Sequence, residues 1–264
     1  MTVMLRKALW DLRWTTFWFA LGGAGYTLMV SLFYPVVRDQ SAQFATLLSS
    51  YPKGFLAAVG YTDITTFTGY IGTESLNLFW PIIVAVFATL AGASLVAKEV
   101  EDGTSEIWLS IPAPRWRLLL AKMAALALAL LGVVIAGVLV VQLSAVLVGA
   151  TVSASGLLAL GGVMTAFLFV IAAYSGLLST IFSSRGVAAG IAFGITLASY
   201  MLWLVSGLSD QWRQLKNLSI FTAYTPEKAL EHGSIDATPV GILVAITAVC
   251  ILASLLTFQR RDAI

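Results

Sequence analysis

AALALALLGVVIAGVLVVQLSAVLV, residues 124–148, runs for 25 residues without a formal charge. A helix needs about 20 mostly apolar residues to cross the hydrocarbon core of a bilayer, and this run supplies them. Lipid offers no hydrogen bonds to bare backbone, so only helices and closed barrels span it. A barrel strand would show about 10 residues of alternating character, and this run does not alternate. The span is extended to about 121–149, and five more stretches share its character: about 14–35, 76–97, 156–182, 187–208 and 239–258. The composition agrees, with 59% of 264 residues hydrophobic, 11% charged and a mean hydropathy of +0.92. A soluble domain is about 45–50% apolar and about 25% charged, and one soluble core of this size could not hide the excess. The expectation is an all-α integral membrane protein, a single transmembrane domain over residues 1–264 with six transmembrane helices.

An even number of spans puts both termini on one side. That side would carry Arg6, Lys7, Arg13, Lys98, Arg115, Arg117, Lys122, Arg185, Arg260 and Arg261, against Arg38, Lys53, Arg213, Lys216 and Lys228 on the other. The positive-inside rule then places N- and C-termini in the cytoplasm, in the inner cell membrane. The first span follows basic residues as a signal peptide would, but its apolar run is long and LFYPVV follows in place of a small-x-small cleavage site. It reads as a retained anchor. Ahead of it, MTVMLRKALWDLR (1–13) reads as an amphipathic elbow helix, and Trp10, Trp14 and Trp18 share one stripe, either an aromatic anchor or part of that elbow.

Both long outer loops carry short-helix signals. In residues 36–75, Phe44, Leu47, Leu48 and Tyr51 lie at i, i+3, i+4, i+7, and Phe55, Leu56 and Val59 continue after Pro52. These predict short outer helices at the interface, lying on it or dipping into it. In residues 209–238, Thr225 reads as N-cap, Pro226 as the first helical residue and Gly233 as the stop, with His232 in the last turn either complementing the helix dipole or serving as a ligand or proton group. In the fifth span Gly186, Gly190 and Gly194 recur every fourth residue and form a smooth face. Such a face admits a close helix, from the same subunit or from a second copy.

Several chemistries are missing from the sequence. It has no GxxxxGK[ST], so no Walker A phosphate cradle is expected. One histidine and one cysteine, Cys250, cannot make a zinc site or an intrachain disulfide. The span centres carry no Asp, Glu, Lys or Arg of the kind that ion-coupled carriers use. No catalytic site, cofactor or metal in this chain is expected, and no nucleic-acid partner; if the chain moves something, the energy comes from elsewhere.

The densest charge sits in KEVEDGTSEIWLSIPAPRWRLLLAK, Lys98–Lys122, with eight of the chain's 28 charges in 25 residues. Asp102 or Thr104 can cap a short helix whose Thr104, Ile107, Trp108 and Ile111 line one face, with Pro112 ending it and Pro114 keeping the chain extended. One reading is a topological loop pinned by its bases, with the apolar face on lipid. The other is a docking helix for a cytoplasmic partner.

Glu99-Val-Glu101-Asp-Gly103-Thr104-Ser-Glu106, then Pro112-x-x-Arg115, then Lys122, resembles the loop between spans 2 and 3 of ABC-2 type transporter permeases. The closing Phe258-Gln-Arg-Arg261-Asp262, the Tyr51-Pro52 pair and the segment Ile220–Pro226 are similar to antibiotic-exporter-like members. Ser105 and Pro114 depart from the usual Leu and Ser or Thr. The resemblance implies the membrane half of an ABC exporter: two permease subunits, here two copies of one chain, over two separate ATPase subunits that bind ATP and magnesium. Residues 98–122 would form the coupling loop, and the elbow would brace the same joint. Ile107 and Trp108 would anchor it in the ATPase, Glu101 and Glu106 would pair with the partner's bases, and Gly103 would turn the chain into the helix. Glu99, Thr104, Ile111, Pro112 and Arg115 complete the expected contact set. Spans 1 and 5 would meet the dimer mate, Gly186, Gly190 and Gly194 included. The alternative is a membrane scaffold whose inner loop recruits a partner other than an ATPase.

Overall fold

The computed structural model describes residues 2–40, 43, 65–104, 114–208 and 210–260. The expected outer helix through Phe44, Leu47, Leu48, Tyr51, Phe55, Leu56 and Val59 lies outside the described residues, as do Arg261 and Asp262. Among the described residues the secondary structure is helical throughout.

Helix α1 runs from Thr2 to Leu32, and α2, Tyr34–Asp39, follows after one residue. The N-terminal amphipathic segment and the first span are therefore one unbroken helix. The second span departs from the expected continuous 76–97. It starts with α3, Phe67–Ile71, passes into a π-helix at Gly72–Leu76, and resumes as α4, Phe79–Ala93, with a bend of 43°. Fifteen residues of α4 reach only about 22 Å, short of the roughly 30 Å hydrocarbon core; α3 and the π-helix supply the remainder. A five-residue helix, α5, Ala97–Glu101, follows. Helices α6 (Arg115–Leu147), α7 (Ala154–Ile181) and α8 (Arg185–Leu208) are long and apolar enough to cross singly. After 3-10 turns at Asp210–Leu218 and Ile220–Ala223 come α9, Pro226–His232, and the last long helix, α10, Ala237–Arg260. Five helices are long enough to span alone, and the bent pair makes six candidates.

The centre of the bundle is α7, which packs on α4, α6, α8, α9 and α10, while α1 lies along α6. Apolar burial cannot drive helices together in lipid, so close contact rests on small residues. A Cβ added at Gly92 of α4 would sit 2.7 Å from Ser175 Cβ and 2.8 Å from the Ala172 carbonyl oxygen of α7. Trp80, the largest fully buried side chain, fills the space left by Gly137 of α6, where an added Cβ would sit 3.2 Å from its Nε1. Tyr224 stacks on Phe167 with centroids 4.4 Å apart, and on Trp80 at 6.4 Å. Thr225, Pro226 and Gly233 take the N-cap, first-turn and stop positions of α9, with Gly233 at φ 64°, and His232 stands in the last turn.

The bundle thus predicts opposite responses to one chemical change. Gly92→Ala should lower stability by about 1–3 kcal/mol through overpacking. Gly132→Ala, where an added Cβ meets nothing within 4 Å, should be neutral or better. Thermal unfolding of the two purified variants in detergent checks this; equal melting temperatures would contradict the close α4–α7 contact.

Candidate functional site

One end of the bundle carries Lys98, Arg115, Arg117, Lys122 and Arg185, and is called the basic end below. Here α4 stops, and after three residues the chain enters α5. A helix start leaves backbone N–H groups without intrahelical partners. The Val96 and Ala97 amides donate to Ser179 Oγ of α7 at 2.8 and 2.9 Å, and Ser179 is fully buried. At the other end of α5 the Gly103 amide donates to the Val100 carbonyl at 3.2 Å and the Thr104 amide to the Glu99 carbonyl at 2.9 Å. With Gly103 at φ +66°, this is a Schellman closure, in which a left-handed residue lets two amides fold back on the last helical carbonyls.

Asp102 is the C-cap of α5, and Gly103 and Thr104 close that helix. The helix they were expected to open, with Glu106, Ile107, Trp108, Ile111 and Pro112, lies outside the described residues. Pro114 is extended, at φ −59° and ψ 133°, and Arg115 opens α6.

Two acids of α5 are committed within the chain. Glu99 forms an ion pair with Lys122 of α6, and the Lys122 ammonium also donates to the Leu95 carbonyl at 2.7 Å. Both side chains are largely buried, at 23% and 11% exposure, so each charge leans on the other. Lys7 and Asp11 of α1 lie near enough to act electrostatically on Lys122. Glu101 was expected to meet a partner's base. Within the chain its carboxylate accepts from the Arg185 backbone amide at 2.8 Å, at the first residue of α8, where a negative charge satisfies an orphan donor and the helix dipole together. A five-residue helix is thereby fastened to α6 through Glu99, to α7 through Ser179 and to α8 through Glu101.

Sequence reasoning missed Ser179 and the Arg185 amide, because nothing in the spacing links residues 82–84 apart. Lys122 carried a usable signal: a lysine entering an apolar span needs a carboxylate or carbonyls. On α8, Ala188, Ala192, Thr196 and Ser199 form the buried face. Among the described residues Gly186, Gly190 and Gly194 are exposed, and no side chain of another helix would meet a Cβ there within 4 Å.

The family model for ABC-2 family transporter proteins matches residues 26–263. The chain belongs to the ABC-2 transporter family. Curated proteins give no match. Membership makes the chain a multi-pass membrane transport subunit, of a family that associates with an ABC ATPase. In this ABC-2 chain the motif residues Glu99, Glu101, Gly103 and Thr104 build the base of the loop. The glutamates tie it to two spans, and the Gly-Thr pair closes α5.

A double-mutant cycle on Glu99→Gln and Lys122→Met should return a coupling of about 0.5–3 kcal/mol in unfolding free energy. The double variant should lose less stability than the two single losses add up to. A coupling of zero would show that the two charges are independently solvated.

Proposed function

We propose that this chain is the membrane-spanning permease subunit of an ATP-driven exporter, paired with a second copy of itself. ATP and magnesium bind in separate ATPase subunits, two per complex, which dock on the loop of residues 98–122. The supporting observation is the fastening of α5 to three spans at once. A push delivered to the loop reaches α6, α7 and α8 together, because the ion pair, the Ser179 cap and the Glu101 cap leave α5 little freedom of its own. In this reading the basic end and both termini face the cytoplasm. The energetic link is differential contact of the loop with the ATPase in its nucleotide-bound and nucleotide-free states. Ile107 and Trp108 supply the apolar anchor, since buried aromatics dominate most interfaces. Glu106, Ile111, Pro112 and Arg115 shape the rest of the docking surface. The open glycine face of α8 fits close approach by the second copy. The cargo enters this reading only as a substrate, without a chemical class.

Two variants separate docking from transmission in the complex with its ATPase. Trp108→Ala should abolish transport-coupled ATP hydrolysis while the chain still inserts in the membrane. Glu101→Ala should leave the ATPase co-purifying but lower coupled turnover about tenfold or more. A hydrogen bond to a charged group is worth about 1.5–3 kcal/mol, and roughly 1.4 kcal/mol is tenfold in rate. Wild-type coupling in Trp108→Ala would remove the docking role, and wild-type coupling in Glu101→Ala would remove the transmission role.

A further inference from the structure

At the end of the bundle opposite the basic end, α9 is wedged between the first half of span 2 and the start of α7. The fit leaves no slack. A Cβ added at Gly72 of the π-helix would lie 2.7 Å from Glu227 Cβ, and one at Gly156 of α7 would lie 2.3 Å from the Leu230 carbonyl oxygen. Glu227 thus points its carboxyl into a contact between helices. It is 9% exposed, and among the described residues its Oε2 has no hydrogen-bond partner. The side chain of Asn77, the residue at the break of span 2, bonds to Glu227. One turn earlier the Tyr224 hydroxyl donates to the Leu76 carbonyl at 3.0 Å, a carbonyl at the same break.

We propose that Glu227 is a proton-operated clasp: neutral, it seats α9 against the break in span 2, and ionised, it drives α9 out and frees the hinge at Asn77. A neutral carboxyl is tolerated in such a contact, whereas a carboxylate there needs a cation or several donors. Burial pushes the Glu227 carboxyl above the usual carboxylate range; Asn77, its own backbone amide and Lys228 pull against that, and Glu231 adds to it. The other titratable or charged groups on the elements around α9 are Tyr70 and Glu74 on the first half of span 2, Tyr224, and His232 on α9 itself; the facing start of α7 presents Ser153 and Ser155. Burial holds Tyr224 well above its ordinary value, so it remains a donor to Leu76 throughout.

The sign of the effect follows from linkage. The seated state binds the proton more tightly than the released state, whose carboxyl titrates in the ordinary range. Seating is strongest below that range, weakens as pH rises towards the raised value of the seated form, and is weakest above it. The same proton holds Tyr224 and Leu76 in register, because α9 and the 3-10 turn before it are continuous chain. Release would let the two halves of span 2 change their 43° bend.

Hydrogen–deuterium exchange of residues 226–232 in detergent or nanodiscs, with protection factors corrected for intrinsic exchange, tests this between pH 5 and pH 8. In wild type, protection should fall several-fold as pH rises. Glu227→Gln, isosteric and always neutral, should keep the high protection at both pH values. Glu74→Gln, Glu231→Gln and His232→Gln should each retain the wild-type fall. A flat wild-type profile overturns the proposal, as does a wild-type fall in Glu227→Gln or a flat profile in any of the other three. Should Glu227→Gln fail to insert, the wild-type profile and the three other variants decide the matter alone.

Discussion

A backbone amide or carbonyl without a partner costs several kcal/mol inside a membrane, and that constraint governs both irregular places in this bundle. At the basic end the chain leaves α4 and enters α5, and two amides and one carbonyl there take side-chain partners. Ser179 takes the amides of Val96 and Ala97, and Lys122 takes the carbonyl of Leu95. At the far end span 2 breaks between Leu76 and Phe79, and the Tyr224 hydroxyl takes the Leu76 carbonyl while Tyr26 of α1 donates to the Glu74 carbonyl at 3.3 Å. Each repair recruits a side chain from another part of the chain. Satisfying the backbone at these two places therefore cross-links the helices.

Between the two breaks lies α4, a straight apolar rod held on one side by the Gly92 contact with α7 and at its far end by Trp80, which occupies the space beside Gly23 and Gly137. Close backbone packing makes such a rod difficult to deform. Movement is easier at its ends, where hydrogen bonds from side chains replace helix continuity. The fastening of α5 and the seating of α9 are thus two ends of one mechanical element, one beside the loop of residues 98–122 and one beside the opposite surface.

The spans were legible because lipid demands about 20 apolar residues wherever a helix crosses, and α9 was legible because Thr225, Pro226 and Gly233 act on their own neighbours. The break in span 2 was not. Hydropathy sums over a window, and Phe67–Leu76 and Phe79–Ala93 sum to a plausible span whether straight or bent. In the loop, Gly103 announced a turn, but its direction depends on which amides it lets fold back, and the same glycine serves a helix start or a helix end. The bond from the Arg185 amide to Glu101 was not legible, because its donor is a backbone amide 84 residues away, and amides carry no residue-type signal. The glycines of α8 could be read as a smooth face; only the three-dimensional arrangement shows that Ala188, Ala192, Thr196 and Ser199 fill the inward side and leave that face open among the described residues.

The central claim is that α5 moves as one body with the spans it is tied to when nucleotide binds the ATPase. Spin labels at residues 102 and 186, in a chain with its single cysteine replaced by Cys250→Ala, report this by pulsed dipolar distance measurement on the complex with and without ATP. The account predicts a constant 102–186 distance within each subunit and a 102–102 distance between subunits that changes with nucleotide. An intersubunit distance indifferent to ATP, or a 102–186 distance that changes with it, would contradict the account.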